Sequence, residues 1–362
     1  MKIGIVGLGQ SGKTTLFNAL TGSAAQTGFA SGKAEANKAN VQVPDERVEI
    51  LTEIFQPEKK VPAVIEYIDL AGLTASEQKK GGLTDEFLGN LRTVDAILIL
   101  TRAFHNDSVP HPLNSIDPKR DFDMIQSDLL LSDLNVIENR MQRLEKQIKA
   151  KKTAEDQREY DLLQSFSAAL ENETPLRDLE ISREQEMMIR GYQFLTLKPL
   201  IVALNIGEED IPNSEKIPET FEGVYNAENS TVVLISAQIE MEIQQLSDGE
   251  AEDFRRDIGI THSAMQRLIR LSYELLGLIS FFTVGSDEVR AWTIPLNTAA
   301  PQAAGAIHTD FERGFIRAEV VSYDEFIKRK SLQKCKTDGV MRLEGKDYIV
   351  KDGDIISFRF AV

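Results

Sequence analysis

The sequence is poor in cysteine. Cys335 is the only cysteine among 362 residues, and a single cysteine cannot form an internal disulfide, as expected for a protein of the reducing cytoplasm. Long apolar runs are also missing, since no segment approaches the roughly 18 consecutive apolar residues of a membrane-spanning helix. The residues after Met1 enter an apolar strand directly, so we expect no signal peptide. These absences predict a cytoplasmic protein that does not contact a membrane.

An excess of positive charge is lacking as well. The chain has 41 lysines and arginines against 57 acidic residues, a net charge of −16. Such a charge argues against a protein that coats nucleic acid non-specifically, and we expect no DNA partner. The imbalance lies upstream of Leu278, because the residues from Leu278 onward carry 12 basic and 12 acidic side chains. Any contact with RNA therefore has to use a local basic patch.

The sequence does contain a phosphate-loop motif. Residues 7–14, GLGQSGKT, follow the apolar run 3–6 and precede a helical segment. Glycines let the loop curl around an anion, and the amides at the helix N-terminus face the phosphates. Lys13 is expected to be solvent-accessible and to reach the β- and γ-phosphates, and the Thr14 hydroxyl to ligate Mg²⁺. The predicted nucleotide contacts here are Gly9, Gln10, Ser11, Gly12, Lys13, Thr14 and Thr15.

Three further segments fit the same kind of site. Residues 69–72, DLAG, match D-x-x-G, in which Asp69 holds Mg²⁺ through water and the Gly72 amide meets the γ-phosphate. Residues 205–208 occupy the place of the guanine-reading N-K-x-D motif. Ile206 stands in place of the lysine of that motif, and Glu208 in place of its aspartate. Because the Glu208 side chain is one methylene longer, we expect a preference for guanine to be lost. The predicted base-side contacts are Asn205, Ile206, Glu208, Ser236 and Ala237.

The apolar pattern indicates an α/β nucleotide-binding domain. Short, almost continuously apolar segments at 63–69, 96–100, 199–205 and 231–236 are typical of strands buried on both faces of a parallel sheet. Between the second and third of these, apolar residues recur every three or four positions. These residues form one apolar stripe of Leu130, Leu134, Ile137, Met141, Leu144 and Ile148. A second predicted helix, which runs back along the first, has an apolar stripe of Tyr160, Leu163, Phe166 and Leu170. The pattern predicts an inserted antiparallel helical, coiled-coil hairpin.

We therefore predict three domains. A P-loop nucleotide-binding domain covers residues 1–120 and 199–277, the helical insertion covers 121–198, and a small α+β domain covers 278–362. The last assignment rests on short strands mixed with helix over a stretch of balanced charge.

With these motifs in place, the chain resembles the Obg-like ATPases, the YchF branch of the translation-factor class of P-loop proteins. The resemblance covers essentially the whole chain. It rests on GLGQSGKTTLFNALT, on DLAGL at 69–73, on the N-x-x-E at 205–208, on SAQIE at 236–240 and on APQAAGAIHTDFERGFI at 300–316. It implies a C-terminal TGS domain with a ubiquitin-like β-grasp fold, hydrolysis of ATP in preference to GTP with Mg²⁺, and association with ribosomes.

The resemblance also raises a question about catalysis. Leu73 stands where Ras-like GTPases place a water-positioning glutamine, and Lys33 where the family usually has a switch threonine. The family's candidate for placing the water is a mobile-loop histidine, which corresponds to His111. The alternative is that His111 is an exposed loop residue without a catalytic role.

Two functions fit these residues. One is a slow ATPase whose nucleotide state gates ribosome binding. The other is a catalytically decayed, nucleotide-binding adaptor of the same architecture. A P-loop kinase of a small metabolite is disfavoured, because D-x-x-G, a base-specificity loop and a β-grasp tail are not features of such kinases.

Two basic clusters are candidates for ribosome contact, although either is also compatible with an ordinary solvated surface. The hairpin-tip cluster consists of Arg140, Arg143, Lys146, Lys149, Lys151 and Lys152. The TGS cluster consists of Lys328, Arg329, Lys330, Lys334 and Lys336.

Overall fold

The computed structural model describes residues 1–22, 37–70, 83–151, 153–225, 227–258, 260 and 263–361. Four residues discussed above lie outside these ranges, namely Lys33, Gly72, Leu73 and Lys152. In the described part of the chain, no helix is long and apolar enough to cross a membrane.

The described residues form strands and helices throughout the chain. The strands are β1 (Lys2–Val6), β2 (Asn37–Gln42), β3 (Lys59–Val61), β4 (Val64–Asp69), β5 (Ala96–Arg102), β6 (Leu200–Asn205), β7 (Ser230–Ile235), β8 (Leu278–Val284), β9 (Glu288–Pro295), β10 (Phe315–Ser322), β11 (Arg342–Glu344) and β12 (Asp354–Phe360). The helices are α1 (Lys13–Thr21), α2 (Glu46–Phe55), α3 (Asp85–Leu91), α4 (Pro118–Ala150), α5 (Ala154–Glu171), α6 (Arg183–Ile189), α7 (Glu222–Tyr225), α8 (Ala237–Ile243), α9 (Asp248–Asp257), α10 (Ala264–Leu275), α11 (Ala300–Ile307), α12 (Thr309–Arg313), α13 (Tyr323–Arg329) and α14 (Leu332–Thr337).

The first sheet has the strand order β2-β4-β1-β5-β6-β7. Strand β1 is parallel to β4 and β5, and β6 is parallel to β5 and β7. Strands β5 and β6 are buried along their whole length, which is why their sequences are almost continuously apolar. Because the paired strands run the same way, the residues at their carboxyl ends meet at one edge of the sheet.

Helices α4 and α5 pack against each other along the predicted apolar stripes. Leu130, Ile137 and Leu144 of α4 share one buried cluster with Leu163 and Phe166 of α5. Helix α4 begins at an Asp117 cap followed by proline, and α5 at a Thr153 cap. Both caps satisfy amides that a helix N-terminus leaves without partners.

Asp133 fixes the middle of α4 to the segment that leads into β6. Its carboxylate is fully buried and accepts hydrogen bonds from Arg92 Nη1 (2.9 Å), the Leu195 amide (3.0 Å), the Thr196 amide (2.7 Å) and the Thr196 hydroxyl (2.8 Å). A carboxylate excluded from water is tolerable only when its oxygens are satisfied in this way. Asp133 is therefore a structural residue.

The chain divides into two compact units whose limits differ from the predicted domains. The first unit consists of Met1–Ala39 and Glu66–Arg267, and the second of Asn40–Ile65 and Leu268–Val362. The predicted insertion 121–198 thus groups with the nucleotide-binding residues. Residues 40–65, which we predicted to belong to the nucleotide-binding domain, group instead with the C-terminal residues, although β2 and β4, which overlap the two ends of this segment, are strands of the first sheet.

Three contacts explain why 40–65 groups with the C-terminal residues. Strand β3 pairs in parallel with β9 at one edge of the second sheet. Arg47 Nη1 bonds to Asp352 at 2.6 Å, and the Phe55 ring stacks on Phe326 with centroids 5.4 Å apart. These partners are far apart in sequence, so local patterns do not reveal them.

The second sheet has the order β11-β10-β12-β8-β9-β3. Its core on one side includes Phe281 and Ile294 together with Ala300, Ala303 and Ala304 of α11. Small alanine side chains let α11 approach the strands closely. The central pair β12 and β8 is parallel, whereas β10 with β12 and β8 with β9 are antiparallel.

Candidate nucleotide-binding site

The sheet brings the motif residues of the first unit to one edge. Ile5 of β1 lies opposite Asp69 of β4, and Arg102 of β5 lies opposite Asn205 of β6. The phosphate loop follows directly after Val6. The strand ends therefore place the phosphate loop, Asp69 and Asn205 around a common crevice, as in other open α/β sheets.

The phosphate loop has the backbone that its glycines predict. Gly12 has φ of 97°, and Gln10 has φ of 61°, both in the left-handed region. A Cβ on Gly12 would lie 2.3 Å from Asn205 Nδ2, and one on Gly7 would lie 2.4 Å from the Leu100 carbonyl oxygen. Both positions therefore require glycine for space, and Gly12 for its conformation as well.

Lys13 is buried, so the expectation that it is solvent-accessible is wrong. Only 7% of the residue is exposed. Its Nζ donates to the carbonyl oxygens of Gly7 (2.8 Å) and Leu8 (2.7 Å), and so closes the loop on itself. Burial lowers the pKa of Lys13 to about 8, although the negative charge of Asp69 opposes that shift. A phosphate group would supply the missing counter-charge.

Asn205 joins the phosphate loop to the loop that the sequence predicts to contact the base. Its Nδ2 donates to the Ser11 carbonyl oxygen at 2.9 Å, and its Oδ1 accepts from the Ala237 amide at 3.0 Å. The side chain is buried, with 4% exposure. Because both ends of the amide are engaged, Asn205 fixes the distance between the two loops.

The other residues predicted to contact the base follow the ends of β6 and β7. Ser236 occupies the N-cap position of α8 without a side-chain capping hydrogen bond, and Ala237 begins the helix with no exposed surface. Ile206 is buried and Glu208 is exposed at the start of a short 3₁₀ turn, Glu208–Asn213. Glu208 is therefore accessible to a ligand, whereas Ile206 lies below the surface.

The donor set suits Mg²⁺ bound together with a nucleotide. Thr14 is half-buried at the start of α1 and Asp69 is buried at the end of β4. Among the described residues there is no cluster of three or more His, Cys, Asp or Glu side chains that could hold a metal alone. Magnesium commonly takes one or two protein oxygens and completes its shell with phosphate and water. The Ser11 hydroxyl of the loop is also buried and has no hydrogen-bond partner among the described residues.

His111 is held in the fold, contrary to both sequence interpretations, which placed it on a mobile or exposed loop. It is 8% exposed, its Nε2 lies 2.9 Å from Asp121 Oδ2, and its Nδ1 accepts from the Leu113 amide at 3.1 Å. The structure thus attaches His111 to the first turn of α4.

Sequence reasoning missed Arg102, which organises the segment before His111. The residue is 2% exposed, and its guanidinium donates to the carbonyl oxygens of Phe104 (3.2 Å), Asn106 (3.2 Å) and Val109 (2.8 Å). It also lies over the Phe104 ring at 4.4 Å. The sequence does contain a signal for this role, because a charged residue at the end of a buried apolar strand has to find polar partners nearby.

This sheet, loop and set of strand-end residues define a P-loop nucleotide-binding protein. Residues 2–163 match the family described as "50S ribosome-binding GTPase", and residues 278–361 match the YchF GTPase C-terminal family, described as "protein of unknown function (DUF933)".

Relatives over the full length make the assignment specific. The chain is 43% identical to the ribosome-binding ATPase YchF of Pasteurella multocida, over 100% of this chain and 99% of that protein. It is 40% identical to the ribosome-binding ATPase YchF of Bacillus subtilis, over 99% of each. The structure of the Schizosaccharomyces pombe YchF GTPase superposes with a TM-score of 0.87 at 32% identity, covering 99% of this chain and 97% of that one. The chain belongs to the YchF family.

Proposed function

We propose that this protein is a cytoplasmic ATPase that binds ATP in preference to GTP together with Mg²⁺, hydrolyses it slowly, and binds the ribosome according to its nucleotide state. The observation that carries the proposal is the buried Lys13 in a glycine-dependent loop that Asn205 connects to the base-side loop. Relatives of the same length are named ribosome-binding ATPases, which supports the same function here.

Within the site, each group has a proposed role. The loop amides and Lys13 bind the phosphates, and the Thr14 hydroxyl and Asp69 hold Mg²⁺, which would neutralise phosphate charge. The Gly72 amide is proposed to meet the γ-phosphate. Positive charge gathered on one side of the phosphates can stabilise charge that develops during hydrolysis.

The base preference is proposed from residues 206–208. A guanine site needs a carboxylate at a fixed reach to accept both ring N–H groups, and Glu208 is one methylene too long. Titration with ATP and GTP tests this directly, and we expect ATP to bind at least about tenfold more tightly, or about 1.4 kcal/mol. The double variant Ile206→Lys/Glu208→Asp, which rebuilds N-K-x-D, should narrow that ratio. Equal affinities in the native protein would contradict the proposal.

Hydrolysis is tested by release of phosphate under multiple turnover. With Leu73 at the glutamine position, we propose that His111 places the water, and His111→Ala should lower kcat about 10²-fold with little change in ATP affinity. The second candidate, a nucleotide-binding adaptor, is favoured by the attachment of His111 to α4. Binding without multiple turnover would select the adaptor, and Lys13→Ala serves as the control for contaminating phosphatase.

We propose that α4 and α5 form an inserted coiled-coil hairpin whose tip contacts ribosomal RNA. Arg140 is not available for this contact, because it is paired with Glu159 at 2.7 Å. Arg143, Lys146 and Lys149 are exposed and form no ion pair within the described residues. Free cations can displace the counterions of RNA phosphates, whereas paired ones first have to leave their partners.

The second unit is proposed to be a TGS domain of β-grasp fold, and its basic cluster is the rival contact. There, Lys328 and Arg329 are paired with Glu325, and Arg329 also with Asp338. This pairing makes the TGS cluster the weaker candidate.

Co-sedimentation with ribosomes compares the two clusters. Lys149, Lys151 and Lys152 changed together to Glu should weaken binding and flatten its salt dependence. Lys330, Lys334 and Lys336 changed to Glu give a control with the same change in net charge. If only the second variant loses binding, the contact lies in the TGS cluster.

A further inference from the structure

His111 has no nitrogen free to meet a water molecule in this structure. Its Nδ1 accepts the Leu113 amide proton at 3.1 Å, so Nδ1 carries no hydrogen of its own. The ring proton is then on Nε2, which donates to Asp121 Oδ2 at 2.9 Å. A neutral imidazole offers one donor and one acceptor, and both are used. The side chain is 4% exposed, so water does not compete for either contact.

Asp121 is itself fixed by the start of α4. Its second oxygen, Oδ1, accepts from Arg120 Nε (3.0 Å) and Nη2 (2.7 Å). Its backbone amide donates to the Asp117 carbonyl oxygen at 3.1 Å, and Asp117 Oδ1 caps the Arg120 amide at 3.0 Å. The acceptor for His111 therefore belongs to a well-formed helix terminus and not to the loop that carries the histidine.

We propose that Asp121 is a positioning residue that holds His111 in a resting place, and that breaking the His111 Nε2–Asp121 contact precedes hydrolysis. The effect on rate rests on the proposed role of His111 in placing the water. A residue that must leave a resting contact is active only in the fraction of molecules where the contact is open. Weakening that contact then raises the rate until the open form predominates.

Only a carboxylate can serve all of these donors. An asparagine at 121 can present its oxygen to His111, but its NH₂ then faces the Arg120 guanidinium, donor against donor. In the opposite orientation the NH₂ donates to His111 Nε2, so the ring proton has to move from Nε2 to Nδ1. The Nδ1–H group then faces the Leu113 amide, which is also a donor. Asp121→Asn therefore weakens the contact while it preserves shape.

The experiment compares four proteins with the native chain: Asp121→Asn, Asp123→Asn, His111→Ala and Asp121→Asn/His111→Ala. Asp123 is the matched control, because it lies on the same turn and loses the same charge, but its partner is Lys119 at the surface. Single-turnover hydrolysis at saturating MgATP gives the rate. Nitrogen NMR of ¹⁵N-histidine protein gives the tautomer, and with four histidines in the chain the signal missing in His111→Ala identifies His111.

The proposal expects native His111 as the Nε2–H tautomer, protected from exchange, and a loss of that state in Asp121→Asn but not in Asp123→Asn. It expects Asp121→Asn to hydrolyse ATP up to about tenfold faster, equivalent to about 1.4 kcal/mol. The ATP affinity, measured by titration, should be unchanged, and no acceleration should occur in the double variant.

Three results would overturn it. Native His111 could be the Nδ1–H tautomer, its signal could be the same in Asp121→Asn, or the rate of Asp121→Asn could fall, which would make Asp121 an aid to the active histidine. A further result would contradict only the proposed function. If His111→Ala hydrolyses ATP at the native rate, His111 has no role in hydrolysis. The tautomer change in Asp121→Asn would then still establish the resting contact.

Discussion

Raising the pH from 7 to 9 should weaken ATP binding about tenfold, because Lys13 loses its proton in this interval. Burial brings the pKa of this amine to about 8 in the free protein. Phosphate next to it favours the charged form, so the pKa in the complex is higher. Below pH 7 the amine is already charged and the affinity is constant. Above pH 8 binding has to take up a proton, and the affinity falls about tenfold per pH unit.

Calorimetry in buffers of different ionisation enthalpy gives two measures of this linkage, the number of protons taken up on binding and the dissociation constant at each pH. With a pKa of about 8, binding should take up about 0.1 proton at pH 7 and about 0.9 proton at pH 9. The ratio of the two dissociation constants should be about ten, or about 1.4 kcal/mol. In Lys13→Met, binding should be much weaker and the proton uptake between pH 7 and 9 should disappear. Constant affinity with no proton uptake in the native protein would refute the assignment of Lys13 as a buried phosphate-binding cation.

Three further predictions concern the groups around the site. Gly12→Ala should weaken ATP binding tenfold to about a hundredfold with an unchanged circular dichroism spectrum, since its Cβ would lie 2.3 Å from Asn205 Nδ2; native affinity in calorimetry would contradict this. Asp133→Ala should lower the free energy of unfolding in urea by about 3 kcal/mol, because it leaves the buried Leu195 and Thr196 amides without their acceptor; a loss below about 1 kcal/mol would show that water replaces the carboxylate. Arg102→Met should speed hydrogen exchange of residues 104–109 while ATP affinity changes by less than about twofold, and unchanged exchange would show that the loop needs no such anchor.

Local patterns were enough to predict five of the six strands of the first sheet, all except β2. The strand ending at Asn205 is buried along its whole length, and the strand ending at Asp69 is buried over its last three residues. This burial appears in their sequences as apolar runs. The stripe from Leu130 to Ile148 likewise predicted that α4 would bury one side. The phosphate loop was predictable from its motif, although the groups that would clash with a Cβ on Gly7 and Gly12 belong to distant residues, Leu100 and Asn205.

Contacts between distant residues were not predictable in this way. Strand β3 is a short edge strand with two lysines, so neither its length nor its composition marks it as part of a sheet. The pair Arg47–Asp352 links residues 305 positions apart. For His111, the sequence shows a histidine between two prolines, and its burial depends on where the first turn of α4 places Asp121.

The structure gives Asn205 a wider role than the sequence did, and this bears on how nucleotide selectivity is to be measured. The motif assigns Asn205 to the base, yet its side chain also holds the Ser11 carbonyl of the phosphate loop. A change at Asn205 therefore moves both loops and should weaken ATP and GTP alike, because it removes a shared support. A change at Glu208, which is exposed and outside this pair of hydrogen bonds, should alter the ratio of the two affinities. We therefore expect residues 206–208 to determine the ratio of the ATP and GTP affinities, and Asn205 to affect both affinities equally.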